Sequence, residues 1–136
     1  MKIYVLDANA IILFLSKGIN YDKVATLIKK ASNGEARLVI SVVNWGETLY
    51  SMARIMGLGR ATADLKAMST CVEPVAIDEA LAEAAATLRL HYRIGYADCF
   101  AAALAMRMDA TLVTTDPDFA KLGKKLKILA LPRHAQ

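Results

Sequence analysis

Four acidic side chains stand where carboxylates could do chemistry: Asp7, Glu47, Asp98 and Asp116. Asp7 follows the apolar run Ile3-Tyr4-Val5-Leu6, and Asp116 follows Thr111-Leu112-Val113-Thr114. Glu47 lies early in a predicted helix, within Asn44-Trp45-Gly46-Glu47-Thr48-Leu49, and Asp98 is the only acid between Tyr96 and Met108. The helical neighbours of Asp98 at i+3, i+4 and i+7 are Ala101, Ala102 and Ala105, a small-residue face suited to close packing. An unpaired carboxylate buried there is costly, and the one cation on that helix, Arg107, falls on a different face. Asp98 therefore needs a cation, a hydrogen-bond set or a metal. Carboxylates that converge without enough arginine repel, and some retain protons. A hard divalent cation, Mg2+ or Mn2+, removes that conflict because it prefers oxygen ligands. Such a metal can acidify a water, orient it in line and stabilise a leaving oxygen. Phosphodiester hydrolysis is the reaction this arrangement serves best.

Each acid also has a purely structural reading. Asp7 can form an Asx turn between strand and helix, with Asn9 as N-cap of Ala10–Leu15. Asp116 before Pro117 is a good N-cap with proline at N1. Asp98 lies in a first helical turn, where the macrodipole favours negative charge, and Glu47 can simply face water. What strengthens the chemical reading is topology. In open parallel sheets the working site lies at the carboxyl ends of strands, so Asp7 and Asp116 share that edge if their strands are neighbours.

The elements that must position these acids alternate. Residues 3–6, 37–40, 72–77, 111–114 and 127–131 are short apolar or β-branched runs that read as strands. Helical stripes lie between them. Val24, Leu27, Ile28 and Ala31 precede a stop at Asn33-Gly34, and Trp45, Leu49, Met52 and Met56 precede Gly57. Ala61, Leu65 and Met68 form a third stripe. Leu81, Ala85, Leu88 and Tyr92 form a fourth, opened by Asp78 as N-cap and closed near Gly95. Residues 96–108 are apolar nearly all round and predict a buried helix. The pattern predicts an α/β fold, a single domain over 1–136 with a mainly parallel central sheet flanked by helices.

Composition narrows the function further. An apolar fraction of 56% excludes disorder and suits a buried parallel sheet, and no apolar run reaches the ~20 residues of a membrane span. Asp7 and Asn9 interrupt the opening run, which rules against a signal peptide. Cys71 and Cys99 make no CxxC pair; they read as buried thiols in a reducing cytoplasm. A net charge of +4 permits a nucleic-acid partner. The densest cationic group, Lys121, Lys124, Lys125 and Lys127, reads as a solvated face. There is no GxGxxG, P-loop or GxSxG motif, and His91 and His134 are isolated, which argues against a histidine mechanism.

The acids together with their neighbours resemble a known family. Strand–Asp7-Ala8-Asn9, then Ser41-x-x-Asn44-x-Gly46-Glu47, then Tyr96-Ala97-Asp98, then Thr114-Thr115-Asp116-Pro117-Asp118-Phe119 resembles the PIN domain, and within it the VapC-type toxins of toxin–antitoxin pairs. The resemblance covers nearly the whole chain; no one motif is specific, but the four together are. It implies a metal-dependent endoribonuclease in which Asp7, Glu47, Asp98 and Asp116 bind Mg2+ or Mn2+. Asn9 and Thr114 would support the site by hydrogen bonding, and Asp118 would either join it or cap the helix after Pro117. It also implies an RNA substrate, a cognate antitoxin that covers the site, and a homodimer. Ala8 stands where a hydroxyl residue is common and Cys99 where alanine is common; neither change removes a ligand.

Some assignments stay open. Ile55, Leu58 and Met68 either complete the core or leave an apolar patch for a dimer or an antitoxin helix. Arg54 could meet RNA phosphate or form a structural ion pair. A dehalogenase-type phosphatase would need Asp where Asn9 stands, and a receiver domain would need an acidic pair after the first strand; neither is present. The remaining alternatives are a catalytically silent PIN-fold scaffold and a structure-specific DNA nuclease.

Overall fold

The computed structural model describes residues 1–133; His134 lies outside them. Five strands form one sheet in the order β3-β2-β1-β4-β5, with every neighbouring pair parallel. The strands are β1 (Lys2–Leu6), β2 (Ala36–Ser41), β3 (Val72–Val75), β4 (Thr111–Thr114) and β5 (Lys127–Ala130). The helices are α1 (Ala8–Leu15), α2 (Tyr21–Ser32), α3 (Val42–Met56), α4 (Leu58–Met68), α5 (Glu79–His91) and α6 (Tyr96–Arg107), and a 3-10 segment spans Pro117–Lys125.

Side chains of a strand alternate between faces, and this sheet is covered on both. Val5, Val39 and Leu112 enter one core with α5 and α6, where Leu81, Leu88, Phe100 and Leu104 pack. Tyr4, Leu6, Leu38, Ile40 and Val113 enter the other with α1, α2 and α4, against Ile11, Val24, Leu27 and Leu65. The chain builds outward from β1 through β2 to β3, then returns to pair β4 on the other side of β1. That reversal puts the switch point between β1 and β4, whose register sets Leu6 beside Val113. Asp7 and Asp116 follow these two neighbouring strands.

Several expected boundaries shift, each for a local reason. Helix α1 starts at Ala8, because Asp7 itself is the N-cap and its carboxylate accepts from the Ala10 N–H; Asn9 is already helical. The third strand stops at Val75 and the last at Ala130, where pairing with their neighbours ends. Helix α5 ends at His91, four residues short of Gly95. Asp78 does cap it, accepting from the Leu81 N–H at 2.7 Å. The turn after Asp116 is a 3-10 segment broken at Gly123 (φ 58°) rather than an α-helix. Met68 is 7% exposed and belongs to the core, so of the expected apolar patch only Ile55 and Leu58 face solvent. Cys99 is buried but Cys71 is half-buried. Among the described residues, no helix is long and apolar enough to cross a membrane.

Candidate active site

The first acid is anchored by the strand that carries it. Asp7 is 2% exposed, at the point where β1 turns into α1. One carboxylate oxygen accepts from the Ala10 N–H at 2.8 Å and the other from the Thr114 hydroxyl of the neighbouring strand. Thr114 in turn accepts from the Asp116 N–H at 2.9 Å, linking the two acids through one hydroxyl. Burial pushes the Asp7 carboxyl up to about 7 against the pull of both hydrogen bonds, and the charges of Asp98 and Asp116 push it further.

Asp98 reaches the same edge from the first turn of α6. Its carboxyl is raised to about 6, first by burial and then by Asp116, Glu47 and Asp118; nothing among the described residues lowers it. Its Oδ2 lies where a side chain at position 95 would sit, 3.3 Å from an added Cβ, so Gly95 makes room for it. Every fully buried polar side-chain atom among the described residues has a partner. The partnerless oxygens of Asp98 are therefore open to solvent. Next to it, burial and the Asp98 charge push the Cys99 thiol up, which leaves it a poor nucleophile.

Glu47 is held by a residue that sequence reasoning left out of the site. Asn44 is fully buried, and its side-chain amide donates to Glu47 Oε1 at 2.9 Å and to the Ala97 carbonyl of α6 at 3.1 Å. Its own oxygen accepts from the Ser41 hydroxyl, which also caps α3 by accepting from the Asn44 N–H. One amide thus ties Glu47 to the turn that carries Asp98. Asn44 was visible in the motif Ser41-x-x-Asn44-x-Gly46-Glu47, but nothing in the sequence says that α6 lies against it.

The fourth acid faces the edge from the loop after β4. Asp116 is half-buried and caps the 3-10 segment, accepting from the Asp118 N–H at 2.9 Å. Asp118 is exposed in that first turn and does not cap it; its charge is felt at Asp98. Counter-charges are distant or peripheral: Arg133 stands 3.9 Å from Asp116, and Lys121 3.5 Å from Asp118. Two candidates do not join the group. Asn9 is exposed, and its side chain makes no hydrogen bond among the described residues. Arg54 lies over the Tyr50 ring at 5.5 Å and lines a groove between α3 and α4 with Leu49 and Leu58.

The sequence model of the PIN domain matches residues 4–125. The chain belongs to the PIN domain family. Among solved structures, a chain of the VapBC2 complex of Rickettsia felis bound to promoter DNA is 21% identical, with a TM-score of 0.75 over 94% of this chain and 98% of that one. A chain of the DNA-bound VapBC complex of Salmonella typhimurium is 20% identical, with a TM-score of 0.76 over 96% and 99%. The Mycobacterium tuberculosis toxin VapC20, described as cleaving the sarcin–ricin loop, is 20% identical, with a TM-score of 0.66 over 90% and 95%. No curated protein sequence matches the chain.

In this PIN domain the donor chemistry fits a hard divalent cation. All the converging side chains offer oxygen, and among the described residues Asp98 has no donor or cation of its own. Among the described residues, no three acidic, histidine or cysteine side chains form a ready ligand cage. The acids are coupled through their charges rather than preassembled, as like charges without a counter-ion would be.

Proposed function

We propose that this PIN domain, residues 1–136, is a metal-dependent endoribonuclease and the toxin of a toxin–antitoxin pair. The observation that carries this reading is the placement of four acids at one sheet edge: Asp7 and Asp116 follow neighbouring strands and are linked through the Thr114 hydroxyl, and Asn44 ties Glu47 to the turn that carries Asp98, which has no partner among the described residues. A bound Mg2+ or Mn2+ would supply a water activated at neutral pH and neutralise charge on the scissile phosphate. Asp98 and Asp116 would hold it, with Glu47 oriented by Asn44. Asp7, already engaged by Thr114 and the Ala10 N–H, fixes the floor of the site and keeps its second lone pairs for the cation. The surrounding cores fix the strand and helix ends that carry the acids, so that gathering them around a cation would take side-chain adjustment only.

The antitoxin partner is supported by the complexes in which the similar folds occur. It is also supported by the groove of about 390 Å3 lined by Leu49, Tyr50 and Leu58, an apolar strip suited to a partner helix. A homodimer and a cytoplasmic location complete the reading.

The test is cleavage of matched RNA and DNA strands with Mg2+, Mn2+ or chelator. RNA cut only with metal, and left uncut by Asp98→Asn, is the expected result. Preferential DNA cleavage would favour the structure-specific DNA nuclease. A catalytically silent scaffold would show neither cleavage nor a divalent-dependent rise in Tm.

A further inference from the structure

Next to the acids lies a depression of different character. It is a shallow, open depression of about 450 Å3 bordered by Asn9, Ile12, Leu13, Ile19, Thr115 and Arg133. Its wall is continuous with the acidic edge, since Asn9 follows Asp7 by two residues and Thr115 precedes Asp116. One side is aliphatic, and Ile19 there is 49% exposed. The donors are divided between the same face of α1, which carries Asn9 at i with Ile12 and Leu13 at i+3 and i+4, and Arg133 across from it. The Asn9 amide is exposed and unengaged among the described residues. Arg133 is held in place by its Nε, which donates to the Thr115 carbonyl at 3.2 Å, and by the Asp116 carboxylate 3.9 Å away. A guanidinium has five N–H donors, so most of this one stays available.

A helix face that carries both aliphatic side chains and an amide, with a guanidinium across from it, fits a flat ligand with a polar edge. In a polynucleotide that ligand is a base. Single-stranded RNA is read by splaying bases out of the stack and bonding their edges. An amide pairs with the N6/N7 edge of adenine and a guanidinium fork with the O6/N7 edge of guanine. We propose that this depression is a subsite for one unstacked purine of the RNA strand, adjoining the phosphate that is cut. The inference rests on the nuclease reading above and adds to it a residue-level account of base preference.

Two measurements test it. In the first, wild-type protein cuts a random-sequence single-stranded RNA pool and the new ends are sequenced. A purine enriched roughly tenfold or more at one position beside the cut is expected. Asn9→Ala should erase the adenine part of that preference, and Arg133→Ala or Arg133→Lys the guanine part, because lysine keeps the charge but loses the fork. In the second, uncleaving Asp98→Asn protein is titrated with hexanucleotides that are all purine or all pyrimidine, read by fluorescence anisotropy. Tighter purine binding, reduced by Asn9→Ala and Arg133→Ala, is expected. A pyrimidine preference, no preference, or a purine preference unchanged by all three variants overturns the subsite. Wild-type protein that cuts no RNA with Mg2+ or Mn2+ defeats the nuclease reading instead, and equal purine and pyrimidine binding in the second measurement then removes the subsite as well.

Discussion

Acidic side chains on the flanks of this protein and those at the carboxyl edge of its sheet live in opposite circumstances. Three of the flank acids have a cation of their own: Glu73 meets Arg37 at 3.0 Å, Asp78 meets Arg107 at 2.9 Å, and Asp109 meets Lys127 at 2.8 Å. The Arg107 guanidinium holds the Asp78 carboxyl below its ordinary value. At the sheet edge the direction reverses, and Asp7 and Asp98 are raised to about 7 and about 6. The chain carries seventeen lysines and arginines, so cations are not scarce. At the edge they reach only the outer acids, Arg133 at 3.9 Å from Asp116 and Lys121 at 3.5 Å from Asp118, and none among the described residues pairs with Asp7 or Asp98. Asp7 and Asp98 thus bear a burial and like-charge cost that the paired acids of the flanks do not, the kind of perturbation that concentrates at functional sites.

The contrast can be broken most forcefully at Asp98. Asp98→Asn should lower metal-dependent RNA cleavage by about a thousandfold, the scale of several kcal/mol of transition-state stabilisation, while its melting temperature holds or rises. Retention of more than a tenth of wild-type activity would remove Asp98 from the site.

Next in size is the pH-dependent cost of Asp7. Its folded-state value lies above its unfolded one, so the contribution of Asp7 to stability is most favourable below pH 4 and declines as pH rises towards 7. Without divalent ions, Asp7→Asn should therefore be stabilising by about 4 kcal/mol at pH 8 and near neutral at pH 4. Asparagine still caps α1, so the cap does not confuse the comparison. Urea melts at the two pH values measure it, and equal effects at both would mean that the Asp7 charge is not strained.

Smaller again is Asn44, which acts through Glu47. Asn44→Ala should weaken Mn2+ binding about 10- to 100-fold by calorimetry, the usual scale for a residue that orients a ligand, and Asn44→Asp should not restore it because the donor to Ala97 is lost. Unaltered affinity in both variants would reduce Asn44 to a packing residue. The smallest effect belongs to the flank. Glu73→Gln breaks an exposed pair and should cost less than about 1 kcal/mol, with no change in metal response.

Much of the scaffold is legible without coordinates because its signals are local. The stripe Val24, Leu27, Ile28, Ala31 and the stop at Asn33-Gly34 match α2, and the uniformly apolar 96–107 segment is a helix buried along most of its length. Boundaries were less legible where two cap residues compete. Asp7 and Asn9 are both good caps, and only the Thr114 hydroxyl, arriving from a strand more than a hundred positions away, makes Asp7 the one that is used. Asn44 illustrates the same limit inside the site. An asparagine in a first helical turn ordinarily faces water or the backbone nearby, and its buried role exists only because α6 presents the Ala97 carbonyl to it.

By itself, then, the order of residues determined which acids were available, the alternation of strands and helices, and the absence of a matching arginine beside Asp98. Those are properties of neighbours along the chain, and periodicity and charge count report them. The tertiary structure decided that β1 and β4 lie side by side, that α3 packs on α6 with the Asn44 amide bonded across to Ala97, and that Arg54 stacks over Tyr50 in a groove between α3 and α4. Each of these depends on which surfaces bury against each other, a choice made by the two cores together and by no single segment.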